Sequence, residues 1–138
     1  MISFIFIILA AICNAFMDTS VHHYYSSIFT KLNPLWWNGE ISWKNKYNNV
    51  LTGDGGRKKC KILFFNVNKP VQITDAFHFF KTLMIIFICL SVVTYNKYCM
   101  FIGCHLTWYN FLIMLSIYGV LWNVSFSLFY NKILRKKY

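Results

Sequence analysis

Three apolar stretches, each long enough to cross a lipid bilayer, constrain this chain more than any other feature of its sequence. A hydrocarbon core of about 30 Å needs about 20 apolar residues in an α-helix. The first stretch covers residues 2–16 and can continue as a helix towards residue 30, the second covers residues 76–95, and the third covers residues 108–130. We therefore predict an all-α membrane protein with three transmembrane helices. Residues 1–138 then form a single membrane domain, with a basic, Trp-rich loop at residues 17–74 between the first and second helices.

The composition excludes most soluble classes of protein. Hydrophobic residues make up 57% of the chain and charged residues only 13%, which is too apolar for a disordered protein. The 14 Lys and Arg residues against 4 Asp and Glu could suit a nucleic-acid-binding domain, but such a domain does not need three long apolar runs. Cations that hold a loop against anionic lipid head groups explain the net charge of +10. We expect the lipid bilayer as the partner, and no nucleic acid.

The distribution of the cations predicts an orientation. Eight lie in the loop at residues 17–74 and four in the tail after residue 130, and three spans place that loop and that tail on the same side. The opposite turn, at residues 96–107, contains only Lys97. Because Lys and Arg near the ends of spans are retained in the cytoplasm, we predict a multi-pass protein of the cell inner (plasma) membrane. Its N-terminus is outside, and its C-terminus is cytoplasmic.

A cleaved signal peptide at residues 1–15 is the alternative for the first stretch. Cys13 and Ala15 would be the small residues before the cut. No Lys or Arg precedes Lys31, however, so the basic n-region of a signal peptide is missing. Cleavage would also place the basic loop and the basic tail outside.

The loop carries residues typical of a membrane interface. Indole rings are apolar except for one N–H that can bond to water, so they prefer the head-group layer, and neighbouring cations bind anionic lipid. The membrane-interface residues are Trp36, Trp37, Trp43, Tyr47, Arg57, Lys58, Lys59 and Lys61. We expect residues 32–47 to lie along the membrane surface and residues 52–59 to form a flexible, exposed tip. Residues 62–67 suit one short strand with no sheet to join.

The third span contains a face of small and polar residues. Ser116, Gly119, Asn123 and Ser127 recur at steps of three or four residues, which places them on one side of a helix. Small residues let helices approach closely in lipid, and Asn can hydrogen-bond across the contact. We expect this face to pack against the other spans or against a second copy.

Two Asp/His pairs give the sharpest chemical signal. Asp18 and His22 are four residues apart, on the same face as Asn14 if the first helix continues beyond the membrane boundary. Asp75 and His78 are three residues apart at the start of the second span, where Thr74 suits an N-cap.

Both pairs belong to the same end of the molecule, so together they could form a metal site for Zn or Fe. His23 would be a reserve ligand. Two other interpretations stay open. Each pair could handle protons, with Asp orienting His, or the side chains could simply be hydrated at the interface, with Asp75 stabilised by the helix dipole. Among the five Cys, Cys99 and Cys104 could form a disulfide in an oxidising compartment.

Two segments resemble a family of small bacterial integral membrane proteins, and the resemblance implies no particular activity. They are the Trp-rich run at residues 33–47, NPLWWNGEISWKNKY, and the run at residues 74–80, TDAFHFF. The resemblance extends from residue 17 to about residue 90 and implies an integral membrane protein without implying a reaction.

We therefore expect a small non-enzymatic membrane component that packs with itself, as a homo-oligomer, or with a larger membrane complex. The alternative is a metal-dependent or proton-handling membrane enzyme. It would use Asp18, His22, Asp75 and His78 at the cytoplasmic membrane boundary.

Overall fold

The computed structural model describes residues 2–62, 65–101 and 107–136 of the chain. Its α-helices are α1 (Ile2–His22), two single-turn helices α2 (Pro34–Trp37) and α3 (Gly39–Ser42), α4 (Ala76–Phe101) and α5 (Trp108–Ser127). A π-helix at Leu128–Leu134 continues α5, and the strands are β1 (Tyr47–Asn49), β2 (Asp54–Arg57), β3 (Lys59–Ile62) and β4 (Phe65–Asn68). Short 3₁₀ turns lie at Tyr24–Ser26, Ile28–Lys31, Trp43–Lys46 and Val71–Ile73.

Within the described residues, three helices are long and apolar enough to cross a membrane: Ile2–His22, Ala76–Asn96 and Trp108–Leu134. The predicted three-helix architecture is confirmed, and the chain is a multi-pass membrane protein. The first helix reaches His22 but not residue 30, because the chain turns there into two short 3₁₀ segments. The second and third spans continue beyond the predicted ends at residues 95 and 130.

Helix α1 is the centre of the bundle. It packs against both α4 and α5, whereas α4 and α5 make few direct contacts with each other. Its small residues Ala10, Ala11 and Ala15 are fully buried, which allows close approach between helices. The hydroxyl of Ser91 in α4 donates a 2.9 Å hydrogen bond to the carbonyl of Ser3, and this bond ties the two helices together within the span.

An aromatic and aliphatic cluster closes the loop end of the bundle. Phe16 of α1 stacks on Phe80 of α4 with ring centroids 4.6 Å apart, and Trp37 stacks on Phe29 at 4.3 Å. Leu134, at the end of the π-helix, is buried in the same cluster. Trp37, predicted as an interfacial ring, is half-buried in this cluster, where it packs against Phe16 and Phe80.

The basic tail is attached to the segment that follows α1. Ser27 and Arg135 form an antiparallel β-bridge, and the N–H of Lys136 donates to the carbonyl of Ser26 at 2.8 Å. The Lys136 ammonium donates to the Thr30 hydroxyl. The beginning of the loop and the tail therefore lie together at one end of the molecule, as three spans require.

The prediction of one unpaired strand in the loop is wrong. Strands β1 and β2 form one antiparallel hairpin, and β3 and β4 form a second, with Lys59 opposite Asn68 and Cys60 opposite Val67. Backbone hydrogen bonds from Lys58 to Lys46 and from Lys69 to Lys58 connect the two hairpins. The segment at residues 52–59, expected to be a flexible tip, forms a turn followed by the exposed strand β2.

Candidate functional site

Asp75 and His78 make direct contact at the start of α4. The imidazole Nδ1 lies 2.8 and 2.9 Å from the two carboxylate oxygens of Asp75, and the same carboxylate accepts the backbone N–H of His78 at 2.9 Å. Asp75 is buried, whereas 38% of the His78 side chain is exposed. A buried carboxylate thus fixes the orientation of a partly exposed imidazole.

The N-cap of α4 is Asp75, and the prediction of Thr74 is off by one residue. Helix α4 begins at Ala76, so the Asp75 carboxylate is the group placed to accept from the third helical N–H. The Thr74 hydroxyl instead donates to the Val71 carbonyl at 2.7 Å and to the Asp75 carboxylate at 3.1 Å. The Thr74 hydroxyl therefore helps to hold the Asp75 carboxylate in the capping position.

A polar chain from the loop holds the same helix start. The Asn45 amide donates to the Thr74 carbonyl at 2.6 Å, and the Lys58 ammonium donates to the Asn45 side-chain oxygen at 3.0 Å. Through these bonds the hairpin region is fixed directly beside the Asp75 and His78 pair. No sequence pattern indicates this role for Asn45, since its partners are 29 and 13 residues away.

The first Asp/His pair faces a different helix. Asp18 is close enough to both His22 and Tyr130 to interact with them electrostatically. The His23 ring packs edge-on against Tyr130 at 5.4 Å, and the Arg135 guanidinium lies 5.9 Å from the same ring. This pair therefore belongs to the contact between α1 and the π-helix.

The structure does not assemble the predicted metal site. Among the described residues, which include Asp18, His22, Asp75 and His78, no three His, Cys, Asp or Glu side chains form a group that could hold a metal ion. The physical reason is that the Asp75 carboxylate already binds the helix N-terminus, Thr74 and His78, while Asp18 interacts electrostatically with His22 and Tyr130. Shared position at one end of adjacent helices was not enough to bring the pairs together.

The small and polar face of α5 points away from the bundle. Ser116, Asn123 and Ser127 are exposed, and a Cβ added at Gly119 would meet no atom of the rest of the protein within 4 Å. The opposite side of α5 makes the packing contacts, where Tyr118 meets Phe4 of α1 at 5.6 Å. The expectation that this face packs against the chain's own spans is therefore wrong, because α1 occupies the other side of the helix.

The polar groups on that face bond locally. The Asn123 amide donates to the Gly119 carbonyl at 2.8 Å, the Ser116 hydroxyl donates to the Leu112 carbonyl at 2.9 Å, and the Ser127 hydroxyl accepts from Asn131 at 3.2 Å. Such bonds reduce the cost of exposing polar groups to lipid but leave the second amide hydrogen and the oxygen of Asn123 directed outward.

The predicted interface residues whose side chains the structure describes divide into half-buried and exposed groups. Trp36 packs beside Phe79 at 6.1 Å, while Trp43 is 41% exposed and meets Tyr47 edge-on at 6.1 Å. Arg57 and Lys59 are exposed, and Lys58 is half-buried. The side chain of Lys61 lies outside the described residues, as does Cys104, the expected disulfide partner of Cys99.

No protein-family model matches the chain, and searches of curated proteins and of solved structures find no match either.

Proposed function

We propose that this protein is a small non-enzymatic membrane component that assembles laterally through the outward face of α5. The observation that carries the proposal is the exposure of α5. Among the three described spans, it is the one whose most apolar 18-residue stretch has no residue buried inside the chain. The same helix carries Ser116, Gly119, Asn123 and Ser127 on its outward side. The partner is a second copy of the chain or a helix of a larger membrane complex.

The physics of lipid supports this function. Apolar surface gains little by leaving hydrocarbon for another helix, so association depends on close packing and on interhelical hydrogen bonds. Gly119 removes the side chain that would keep a neighbouring backbone away, and Asn123 one turn further on supplies a donor and an acceptor. Model transmembrane helices gain about 1 to 2 kcal/mol from such polar contacts.

Gly119→Leu tests the proposal. The added side chain meets no atom within the chain, so the monomer should fold normally while the approach of a partner helix is blocked. Self-association is measured by energy transfer between labelled copies in native-membrane nanodiscs, and co-purification is measured with mild detergent. We expect both signals to fall at unchanged expression.

Ile117→Phe is the control. Ile117 is 39% exposed and is not three, four or seven residues from any member of the proposed face, so the larger side chain adds bulk to the same helix away from that face. Equal assembly of wild type and Gly119→Leu in both measurements would reject the face. Asn123→Leu should weaken assembly in the same direction by removing the polar contact.

The orientation is part of the proposal. We propose that the N-terminus is outside the inner membrane of a bacterial cell and that the hairpins and the basic tail are cytoplasmic. The support is that the beginning of the loop, the start of α4 and the tail meet at one end, which therefore gathers nearly all the cations. In a variant whose other four cysteines are replaced by Ala, Cys60, partly accessible in β3, should resist an impermeant thiol reagent applied to intact cells and react after permeabilisation. Reaction in intact cells would reverse the orientation.

A second candidate, a proton-handling membrane enzyme, is favoured by the contact between Asp75 and His78. A carboxylate that fixes one imidazole nitrogen leaves the other to accept or deliver a proton. Complementation of a deletion strain separates the two functions. An enzyme at this site loses function in His78→Gln and keeps it in Gly119→Leu, and an assembly component shows the reverse.

A further inference from the structure

The tip of the first hairpin presents a leucine to the surroundings. Leu51, in the turn between β1 and β2, is 86% exposed, which is the highest value among the exposed large hydrophobic residues that the structure describes. Trp43, which the same turn approaches at Gly53, is also 41% exposed. An apolar side chain held out in this way has no function in the core of the protein.

The tip has a defined structure. The Lys44 ammonium donates to the Leu51 carbonyl at 3.0 Å and lies 5.8 Å from the centre of the Trp43 ring. Gly53 adopts φ = +80°, and a Cβ there would lie 2.8 Å from the indole. The turn therefore folds back onto Trp43 and Lys44. We call the residues Trp43, Lys44, Leu51 and Gly53 the hairpin tip.

The hairpin tip lies beside the membrane boundary. Asn45, the residue after Lys44, donates to the carbonyl of Thr74, and the span of α4 begins two residues later at Ala76. Trp43 and Tyr47 flank this fixed point on either side, and Lys46 places its ammonium 5.2 Å from the Tyr47 ring. The position suits aromatic rings in the head-group layer.

The positive charge of residues 43–61 favours binding to an anionic surface. Residues 43–61 contain one acidic residue, Asp54, against six cations: Lys44, Lys46, Arg57, Lys58, Lys59 and Lys61. Attraction to an anionic leaflet brings the segment to the surface, and burial of Leu51 and the exposed edge of Trp43 holds it there.

We propose that the hairpin tip inserts Leu51 into the head-group layer of an anionic leaflet and anchors the first hairpin to the bilayer that the helices span. The occupant of this surface is anionic phospholipid. The inference goes beyond lateral assembly, because it involves neither α5 nor a protein partner.

Limited trypsin digestion of the full-length protein in nanodiscs tests the anchor. The lipid is either phosphatidylcholine alone or a mixture of phosphatidylcholine and phosphatidylglycerol, and the measured quantity is the rate of cleavage after Arg57. We expect slower cleavage in the anionic mixture. Leu51→Ala should restore fast cleavage there, and Thr52→Ala, at the exposed neighbouring position, should not. Since Leu51 packs so little within the protein, its truncation leaves the fold intact.

Lys46→Gln separates the charge from the leucine, because the Lys46 ammonium lies over the Tyr47 ring whereas that of Lys44 bonds to the Leu51 carbonyl. Loss of one cation near an anionic surface should raise the cleavage rate in the mixed nanodiscs by about fivefold and change little in phosphatidylcholine. Equal rates in the two lipids for wild type, or no effect of Leu51→Ala, overturn the anchor. A fluorophore on Leu51→Cys, with the native cysteines replaced by Ala, gives an independent measurement. It should be shielded from aqueous iodide in the anionic nanodiscs, and equal quenching in both lipids overturns the proposal as well.

Discussion

The carboxylate of Asp75 serves two groups of His78 at once, accepting its backbone N–H at 2.9 Å and contacting its Nδ1 at 2.8 Å. One contact caps the helix α4 and the other orients the imidazole. Because both depend on the same buried side chain, the start of the second span and the geometry of the histidine are coupled.

Asp75→Ala should destabilise the protein by about 1 kcal/mol, since it removes the N-cap of α4. Asp75→Asn keeps an oxygen that can accept the His78 N–H, so its loss should be smaller. Thermal unfolding in detergent, followed by circular dichroism, gives both values. A loss for Asn as large as that for Ala would show that charge, rather than capping, dominates.

Gly39→Ala should also destabilise the fold. An added Cβ would lie 2.9 Å from the Cα of Val21 and 3.2 Å from the Ser20 carbonyl, so α3 would have to move away from α1. Overpacking of this kind costs about 1 to 3 kcal/mol. The comparison is Gly119→Ala, which has open space and should gain about 0.5 to 1 kcal/mol from helix propensity. The melting temperatures of monomeric protein should therefore move in opposite directions, and a shared direction would contradict the packing.

Leu134→Ala tests whether the basic tail is part of the folded structure. Leu134 is 1% exposed and packs with Phe29 and Tyr24 in the cluster at the loop end. Its truncation should cost about 2 to 5 kcal/mol. Ile133→Ala, at a 45% exposed position beside it, should cost far less. Chemical unfolding in detergent measures the difference, and equal effects would mean that the tail is not packed.

Metal analysis tests the separation of the Asp/His pairs. We expect no stoichiometric Zn or Fe in detergent-purified wild type or in His78→Ala, because the described residues offer no group of three ligands. Stoichiometric metal in wild type that is lost in His78→Ala would restore the predicted site and the enzyme alternative.

The loop shows why sequence patterns failed locally. Strand β1 is Tyr-Asn-Asn and strand β2 is Asp-Gly-Gly-Arg, with no alternation of apolar and polar positions, so nothing in the segment resembled a strand. The hairpin is held by contacts between its two strands, such as the hydrogen bond from the Asn48 amide to the Gly55 carbonyl, and by glycines at positive φ. Such contacts leave no periodic trace.

The sequence by itself determined the three spans, the shared side of the loop and the tail, and the contact of Asp75 with His78. The spans follow from the length of an apolar helix, the shared side from the odd number of spans, and the contact from a spacing of one helical turn. Only the tertiary structure decided that α1 is the central helix, that the described side chains of the two Asp/His pairs form no common metal site, and that the Ser116 to Ser127 face points outward. Periodicity defines a face on a helix, but the rotation of each helix about its axis depends on how all three pack together.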